Sequence, residues 1–163
     1  MAEQQRSESP VREPTPEHRK LEVFVGSWRA EGQQKDGPFG PAAPIRATQT
    51  WEWLPGKLFL VLRFDGKVGD APAACIEVTG YDSVKRSYPT HTFYNDGNSM
   101  QWRLHERGDT WVRTGALQQH GKTIEVRCTT LFNEARDSMS ARWEFSNNRS
   151  AWQTFWEVVA TRK

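Results

Sequence analysis

The stretch from Thr50 to Gly66, TWEWLPGKLFLVLRFDG, constrains the fold of this chain more than any other segment. Pro55 and Gly56 suit the two central positions of a type II turn, because proline presets φ at the first position and glycine accepts a positive φ at the second. The turn would pair Leu54 with Lys57 and join two β-strands. Because side chains alternate between the two faces of a strand, one face of this hairpin is apolar and the other is mostly polar. Such a hairpin indicates an antiparallel sheet with its core on one side.

The apolar face of the hairpin carries tryptophans, leucines and a phenylalanine. With the pairing above, this face holds Trp51, Trp53, Leu58, Leu60, Leu62 and Phe64. Glu52 and Arg63 lie on the opposite face, where we expect them to be solvated. If the facing were inverted, Glu52 and Arg63 would instead be polar anchors for a ligand, alongside Thr48 and Tyr94.

Short alternating runs continue from Ser27 to the C-terminus at roughly ten-residue spacing, separated by Gly, Pro, Asn and Asp. These runs predict about ten strands. An open antiparallel sheet of this size would expose two edges, and closing the sheet removes both. We therefore expect an all-β fold, a roughly ten-stranded antiparallel up-and-down barrel.

One short helix is predicted before the barrel. Thr15 suits the N-cap position and Pro16 the first helical position, and Gly26 suits the end of the helix. Apolar residues at helical spacing lie between them: Leu21, Phe24 and Val25. So short a helix is not stable alone. We expect residues 17–25 to cap one open end of the barrel.

The overall composition excludes several classes of protein. The chain has 163 residues, 22 basic and 20 acidic, so it fits one domain and has no basic footprint for nucleic acid. No apolar run approaches the ~20 residues of a membrane span, and no signal peptide is evident. We expect a cytoplasmic protein with neither a nucleic acid nor a membrane as partner, its oligomeric state left open. Residues 1–14 are predicted to be a disordered tail and residues 15–163 a single barrel domain.

The count of large aromatic residues is the informative part of the composition, with eight Trp and eight Phe. Alternation by hydrophobicity assigns these inner positions on the later strands: Ile76, Val78, His91, Phe93, Met100, Trp102, Leu104, Ile124, Val126, Cys128, Met139, Ala141, Trp143 and Phe145. For the last strand the pattern does not decide which residues face inward. One possible inner face carries Trp152, Trp156 and Val158, and the other carries Phe155 and Val159. A barrel this wide is hard to fill with side chains, so an aromatic-lined cavity for a small hydrophobic or aromatic ligand is predicted. The residues expected to contact the ligand are Trp51, Trp53, Leu62, Arg63, Phe93, Tyr94, Trp102, Cys128 and Trp143.

His91 is the titratable residue assigned to the inner face. An imidazole suits proton transfer, so the alternative function is an enzyme of the cyclase or isomerase type. His91 would be its catalytic residue, with Tyr94 or Arg63 as alternatives. A neutral, hydrogen-bonded core histidine is equally compatible with the pattern. Cys75 and Cys128 lack CxxC spacing and are expected to be small buried hydrophobes. The four histidines lack ligand spacing, so no metal site is predicted.

Several phrases occur together in a recognisable order: HRKLEVFVGSW, TWEWLPGKLFLV, IEVTGYD, HTFYNDGN, GDTW and RWEFS. They resemble the uncharacterised bacterial family known as domain of unknown function 1579, from about His18 to the C-terminus. The resemblance implies a lipocalin-like or fatty-acid-binding-protein-like barrel and no settled activity. Members commonly have glycine where this chain has Lys57 and aspartate where it has Tyr94.

Haem is the cofactor that requires a separate argument. Haem-binding barrels of the nitrobindin type resemble this chain in size, in strand count and in a GxW opening, and they supply an axial histidine near the C-terminus. Here the last histidine is His120, before the final strands. His91, Met139 and Cys128 are conceivable replacements, although a buried Met or Cys is more often packing. We therefore expect no histidine-bound haem and no other cofactor.

Overall fold

The computed structural model describes residues 12–119 and 121–163. Ten strands form one sheet: β1 Gly26–Gln34, β2 Ala43–Trp53, β3 Leu60–Val68, β4 Ala71–Thr79, β5 Tyr88–Tyr94, β6 Ser99–Arg107, β7 Thr110–Gln119, β8 Lys122–Phe132, β9 Ser138–Ser146 and β10 Gln153–Arg162. Each strand pairs antiparallel with its neighbours in sequence, and β10 pairs with β1, which closes the barrel. The predicted up-and-down barrel is therefore confirmed. Residues 1–11 of the predicted tail lie outside the described residues.

The predicted helix is present, and its last turn is tighter than expected. Helix α1, Pro16–Lys20, has Thr15 as its N-cap and continues as a 3-10 helix over Leu21–Phe24. With about three residues per turn, Leu21 and Phe24 fall on one face, and both are buried in the barrel end. Trp28 Nε1 donates to the Phe24 carbonyl at 2.8 Å and ties the helix to β1. No helix among the described residues is long and apolar enough to cross a membrane.

The hairpin of β2 and β3 has the predicted facing but a different register. The structure pairs Trp53 with Leu60, so the predicted Leu54–Lys57 strand pair is wrong. The four-residue turn does form, with Lys57 N–H donating to the Leu54 carbonyl at 2.9 Å and Gly56 at φ +92°. Lys57 then adopts φ +53°, a conformation that favours glycine, and this lengthens the loop. The shift is by two residues, so every side chain keeps its face.

Two apolar clusters fill the ends of the barrel. At the end covered by the helix, hereafter the capped end, the buried cluster includes Leu21, Phe24, Trp28, Trp51, Leu60, Leu62, Tyr88, Leu104, Trp111 and Met139. Towards the other end, hereafter the loop end, the second cluster comprises Trp102, Ile124, Val126, Phe145 and Phe155. Phe39, in the loop between β1 and β2, packs on Phe145 and Phe155 with ring centroids 5.6 and 4.3 Å apart.

The predicted facing of β4 and β5 is wrong. Phe93 is 53% exposed and Ile76 42%, and His91 is also exposed, so these side chains lie on the outer surface. The buried residues of the two strands alternate with them and are mostly polar: Glu77, Thr79, Tyr88, Thr90 and Thr92. The assignment by hydrophobicity selected the wrong face because the inward-facing side chains of these two strands are mostly polar.

The facing predicted for β6, β8 and β9 is confirmed, with Trp102, Val126, Cys128 and Phe145 all buried. On β10 neither of the two predicted inner faces is correct by itself. A bulge between Thr154 and Trp156 changes the alternation, so that both Phe155 and Val158 are buried.

Candidate binding site inside the barrel

An ion pair spans the interior of the barrel between β4 and β7. Arg113 Nη1 and Nη2 donate to Glu77 Oε2 and Oε1, each at 2.6 Å. The Glu77 side chain is 1% exposed and the Arg113 side chain 12%. Because β5 and β6 separate the two strands in the sheet, the pair crosses the lumen and does not follow the wall. A bidentate arginine–carboxylate pair is strong and directional, so both groups are held in place.

Two further side chains complete the hydrogen bonds around Glu77. Thr92 Oγ1 donates to Glu77 Oε2 at 2.7 Å, and Trp102 Nε1 donates to Thr92 Oγ1 at 3.0 Å. Both carboxylate oxygens therefore have donors, as a buried charge requires. The network connects β4, β5, β6 and β7, and we call Glu77, Thr92, Trp102, Arg113 and Trp143 the interior cluster.

The guanidinium of Arg113 also contacts two tryptophan rings. The central guanidinium carbon, Cζ, lies 6.0 Å from the ring centroid of Trp102 and 5.6 Å from that of Trp143. The two rings meet edge to face at 5.6 Å, an arrangement favourable for aromatic pairs. Burial lowers the pKa of Arg113, but the charge and the hydrogen bonds of Glu77, with smaller contributions from Cys128 and Tyr94, together outweigh burial, and the pKa is raised. Arg113 therefore stays charged at neutral pH.

Several inward-facing side chains of the barrel are only partly buried. Phe64, Cys75 and Tyr94 form one row across β3, β4 and β5. All three face inward, yet each keeps part of its surface accessible, as does Trp143 on β9. An inward-facing side chain of a closed barrel can be accessible only from space inside the barrel or at its mouth. The accessible surface of these four residues therefore lies inside the barrel or at one of its mouths.

Burial governs the ionisation of the other polar groups in this region. It raises the pKa of Cys75 to about 12 and that of Cys128 to about 12, and it also raises the pKa of Tyr94. The charge of Arg113 opposes the shift at all three residues without cancelling it. The two thiols and the phenol are therefore neutral at pH 7, and neither cysteine forms a disulfide.

The structure brings some of the residues predicted from the sequence together and separates others. Tyr94, Trp102, Cys128 and Trp143 lie within the electrostatic or ring-contact range of Arg113. Other predicted residues lie at the capped end: Trp51 and Leu62 in its buried cluster, and Trp53 packed against it, donating to Glu22 at 2.7 Å. The outer surface holds Arg63, His91 and Phe93. The inner-face assignment of His91 and Phe93 was therefore wrong, whereas Arg63 lies on the solvated face that the hairpin pattern predicted for it. None of the three is placed to contact a ligand inside the barrel.

Three residues of the interior cluster were missed by the sequence analysis: Glu77, Thr92 and Arg113. The signal for Arg113 was available, because Arg113 stands two residues after Trp111 in an alternating strand, so the two share a face. Glu77 and Thr92 had no comparable signal, since their outward neighbours Ile76, Val78 and Phe93 are more hydrophobic.

Two surface depressions lie beside the helix. One of about 270 Å³ is lined by Pro14, His18, Arg19, Glu22, Trp53 and Lys57. The other, of about 100 Å³, is lined by Lys20, Val23, Glu106, Gly108, Asp109, Trp111, Phe132 and Arg136. Neither includes a residue of the interior cluster. Within residues 12–119 and 121–163, no group of three His, Cys, Asp or Glu side chains could hold a metal ion.

These features define a class, a closed ten-stranded up-and-down barrel whose interior combines aromatic clusters with one buried ion pair. The family model "Protein of unknown function (DUF1579)" matches residues 13–162, and the chain belongs to that family. The family resemblance noted in the sequence is thereby confirmed.

Solved structures share the fold at low sequence identity. The crystal structure of Rv2717c from M. tuberculosis aligns with a TM-score of 0.66 and 15% identity, over 91% of this chain and 98% of that chain. A de novo designed fluorescence-activating β-barrel aligns with a TM-score of 0.46 and 16% identity, over 88% of this chain and 96% of that chain. No curated protein matches the sequence.

Proposed function

We propose that the protein binds a small hydrophobic or aromatic molecule inside the barrel, beside the interior cluster. The observation that carries this proposal is the accessible surface of Phe64, Cys75, Tyr94 and Trp143, which all face inward. Aromatic walls with a few fixed polar groups are typical of small-molecule sites. The ion pair supports the same function, since it holds Arg113 rigidly against two tryptophan rings, and preorganised groups bind with a smaller entropic penalty.

Binding can be tested with N-phenyl-1-naphthylamine, a neutral probe that becomes fluorescent in apolar surroundings. We expect saturable fluorescence with the wild-type protein. In the variant Cys75→Phe the larger side chain occupies the space next to Phe64 and Tyr94. Its affinity should fall about tenfold or more, which corresponds to about 1.4 kcal/mol.

The matched control is Ile76→Phe, one residue along the same strand and on the outer face. It introduces the same ring and should leave the affinity unchanged. Equal affinity of the wild type and the Cys75→Phe variant would contradict binding in this space, as would the absence of any saturable signal. If binding is observed, mass spectrometry of small molecules that co-purify with the protein can identify the natural ligand.

No observation favours the enzymatic alternative. His91 and Arg63 lie outside the barrel, and burial raises the pKa of the inward Tyr94, so that it keeps its proton near pH 7. The thiol of Cys75, with its pKa raised to about 12, is a poor nucleophile at neutral pH. Binding is therefore the function that the interior supports best.

A further inference from the structure

Among the described residues, the hydrogen-bonding groups of the interior cluster that are left free are donors. Arg113 uses one N–H of Nη1 and one N–H of Nη2 on Glu77, and its Nε–H has no hydrogen bond among the described residues. The same holds for the indole N–H of Trp143, which meets its neighbours only through ring contacts. No buried side-chain nitrogen or oxygen in the described residues lacks a partner, so both N–H groups must border accessible space.

The acceptors of the interior cluster, in contrast, are already occupied. Glu77 Oε1 accepts from Arg113, and Oε2 accepts from both Arg113 and Thr92. The hydroxyl of Thr92 accepts from Trp102. A ligand next to this cluster can therefore satisfy the open N–H groups only by presenting an acceptor of its own.

The charge of the cluster further narrows the ligand class. Glu77 and Arg113 neutralise each other at 2.6 Å, so no uncompensated cation remains at this point to receive a carboxylate. An anion entering the interior would lose its hydration without gaining a free counter-ion. A neutral carbonyl loses much less on desolvation and still accepts from Arg113 and Trp143.

We infer that the ligand is a neutral, mainly aromatic or alicyclic molecule whose carbonyl oxygen accepts hydrogen bonds from Arg113 Nε and Trp143 Nε1. This inference rests on the proposed function and adds the chemical class of the ligand. Hydrogen bonds from a charged donor are among the stronger ones, and the tryptophan rings beside Arg113 provide the apolar contact.

Three naphthalenes of similar size separate the possibilities: 2-acetylnaphthalene, which is a neutral ketone; 2-ethylnaphthalene, which lacks an acceptor; and 2-naphthoate, which is an anion. Each competes with bound N-phenyl-1-naphthylamine at pH 7. The ketone should displace the probe at a concentration about tenfold lower than the hydrocarbon, as expected for a hydrogen bond from a charged donor. The naphthoate should be weaker than the ketone.

Two variants test which donor groups cause the preference for the ketone over the hydrocarbon. Trp143→Phe keeps an aromatic ring but removes the N–H, so it should reduce the preference for the ketone several-fold and leave the hydrocarbon within about twofold. The matched control is Trp152→Phe, since Trp152 stacks on Arg127 at 4.2 Å, outside the interior cluster. This variant should change neither the preference for the ketone nor the affinity for the hydrocarbon. The double variant Glu77→Leu/Arg113→Leu removes the second donor together with its partner and should abolish the remaining preference.

The outcomes distinguish this inference from the proposed function. If N-phenyl-1-naphthylamine binds but the ketone and the hydrocarbon compete equally, or if none of the three competes, the carbonyl assignment is overturned and interior binding stands. If the naphthoate competes best, the site takes anions and the inference is again overturned. If no probe binds at all, both the inference and the proposed function are wrong.

Discussion

At the scale of single residues, the interior of the barrel depends on the match between Glu77 and Arg113. Each charge would be expensive to bury alone, and each is stable here because the other lies 2.6 Å away. Apolar residues could fill the same volume at equal or greater stability. The pair therefore does not explain the stability of the barrel by itself, which agrees with the role in ligand binding that we propose for Arg113.

The first prediction concerns this pair. Arg113→Leu leaves Glu77 buried without its partner, so we expect the free energy of unfolding to fall by about 3–5 kcal/mol in urea titrations at pH 7. The double variant Glu77→Leu/Arg113→Leu removes both charges and should recover most of that loss.

The control for the first prediction is Arg149→Leu. Arg149 pairs with Glu125 on the surface, with its side chain 79% exposed, and its loss should cost about 0–1 kcal/mol. The buried pair is not coupled as described if Arg113→Leu costs no more than Arg149→Leu, or if the double variant is as unstable as the single one.

The second prediction concerns Gly115, which makes room for Trp102. A Cβ atom at this position would lie 2.6 Å from Cε3 of the Trp102 ring, so Gly115→Ala must displace the ring from its bond to Thr92. We expect a loss of about 1–3 kcal/mol in stability, and weaker binding of N-phenyl-1-naphthylamine. Gly37→Ala is the control, since an added Cβ there has no atom within 4 Å, and it should change neither quantity. Unchanged binding by Gly115→Ala would show that the ring position does not matter.

At the scale of elements, the short helix is held to the barrel from both sides. Thr15 N–H donates to His18 Nδ1 at 3.1 Å, and the buried His18 ring meets Tyr81 edge-on at 5.7 Å. From the last strand, Arg162 donates to the carbonyls of Val23 and Val25, and its guanidinium stacks on Trp28 at 4.2 Å. A helix too short to be stable alone is thus fixed by its contacts with the barrel.

The third prediction follows from the cap of this helix. Burial lowers the pKa of His18 below its usual 6.5, while Glu17 opposes the shift. The neutral ring accepts the Thr15 N–H, and protonation of Nδ1 removes that acceptor. A histidine whose folded pKa is depressed contributes stability that is complete above the unfolded pKa. That contribution is lost as the pH falls through the folded value.

Urea midpoints measured between pH 7.5 and 5 test this prediction. His18→Gln keeps an acceptor at the same helix position but does not titrate in this range, so its midpoint should depend less on pH than that of the wild type. His105 also has a lowered pKa, caused mainly by burial, and contributes equally to both proteins. Identical pH profiles for the two proteins would rule out His18 as the titrating cap.

At the scale of the whole molecule, the two ends of the barrel are closed by different means. The capped end is sealed by Leu21 and Phe24 of the helix, packed into the larger cluster. The loop end is covered by Phe39, which reaches Phe145 and Phe155 from a loop of the chain. A loop is easier to displace than a packed helix, so the loop end is the expected entrance for a ligand.

The fourth prediction tests this entrance. Phe39→Ala should speed both association and dissociation of N-phenyl-1-naphthylamine in stopped-flow experiments, because the ring no longer covers the mouth. The affinity should change less than either rate. Phe59→Ala serves as the control, since this exposed ring lies in the hairpin loop at the capped end and should leave both rates as they are. If Phe39→Ala leaves both rates unchanged, the ligand does not enter the barrel past Phe39.

The sequence by itself determined the architecture. Alternation with turn residues at regular spacing predicted the ten strands, and the Thr15–Gly26 signals predicted the single helix. The contrast between the two faces of the Thr50–Gly66 hairpin was strong enough to predict its facing despite a wrong register. These features are local, because each depends on residues within one turn or two strands of each other.

Only the tertiary structure decided what lies inside the barrel on β4 and β5. Local hydrophobicity favours Ile76 and Phe93 for the interior, but the fold places Glu77 and Thr92 there instead. Glu77 is tolerated because Arg113 reaches it from a position 36 residues later in the chain. The energy of a buried charge depends on such a distant partner, and the partner is adjacent only once the barrel has closed.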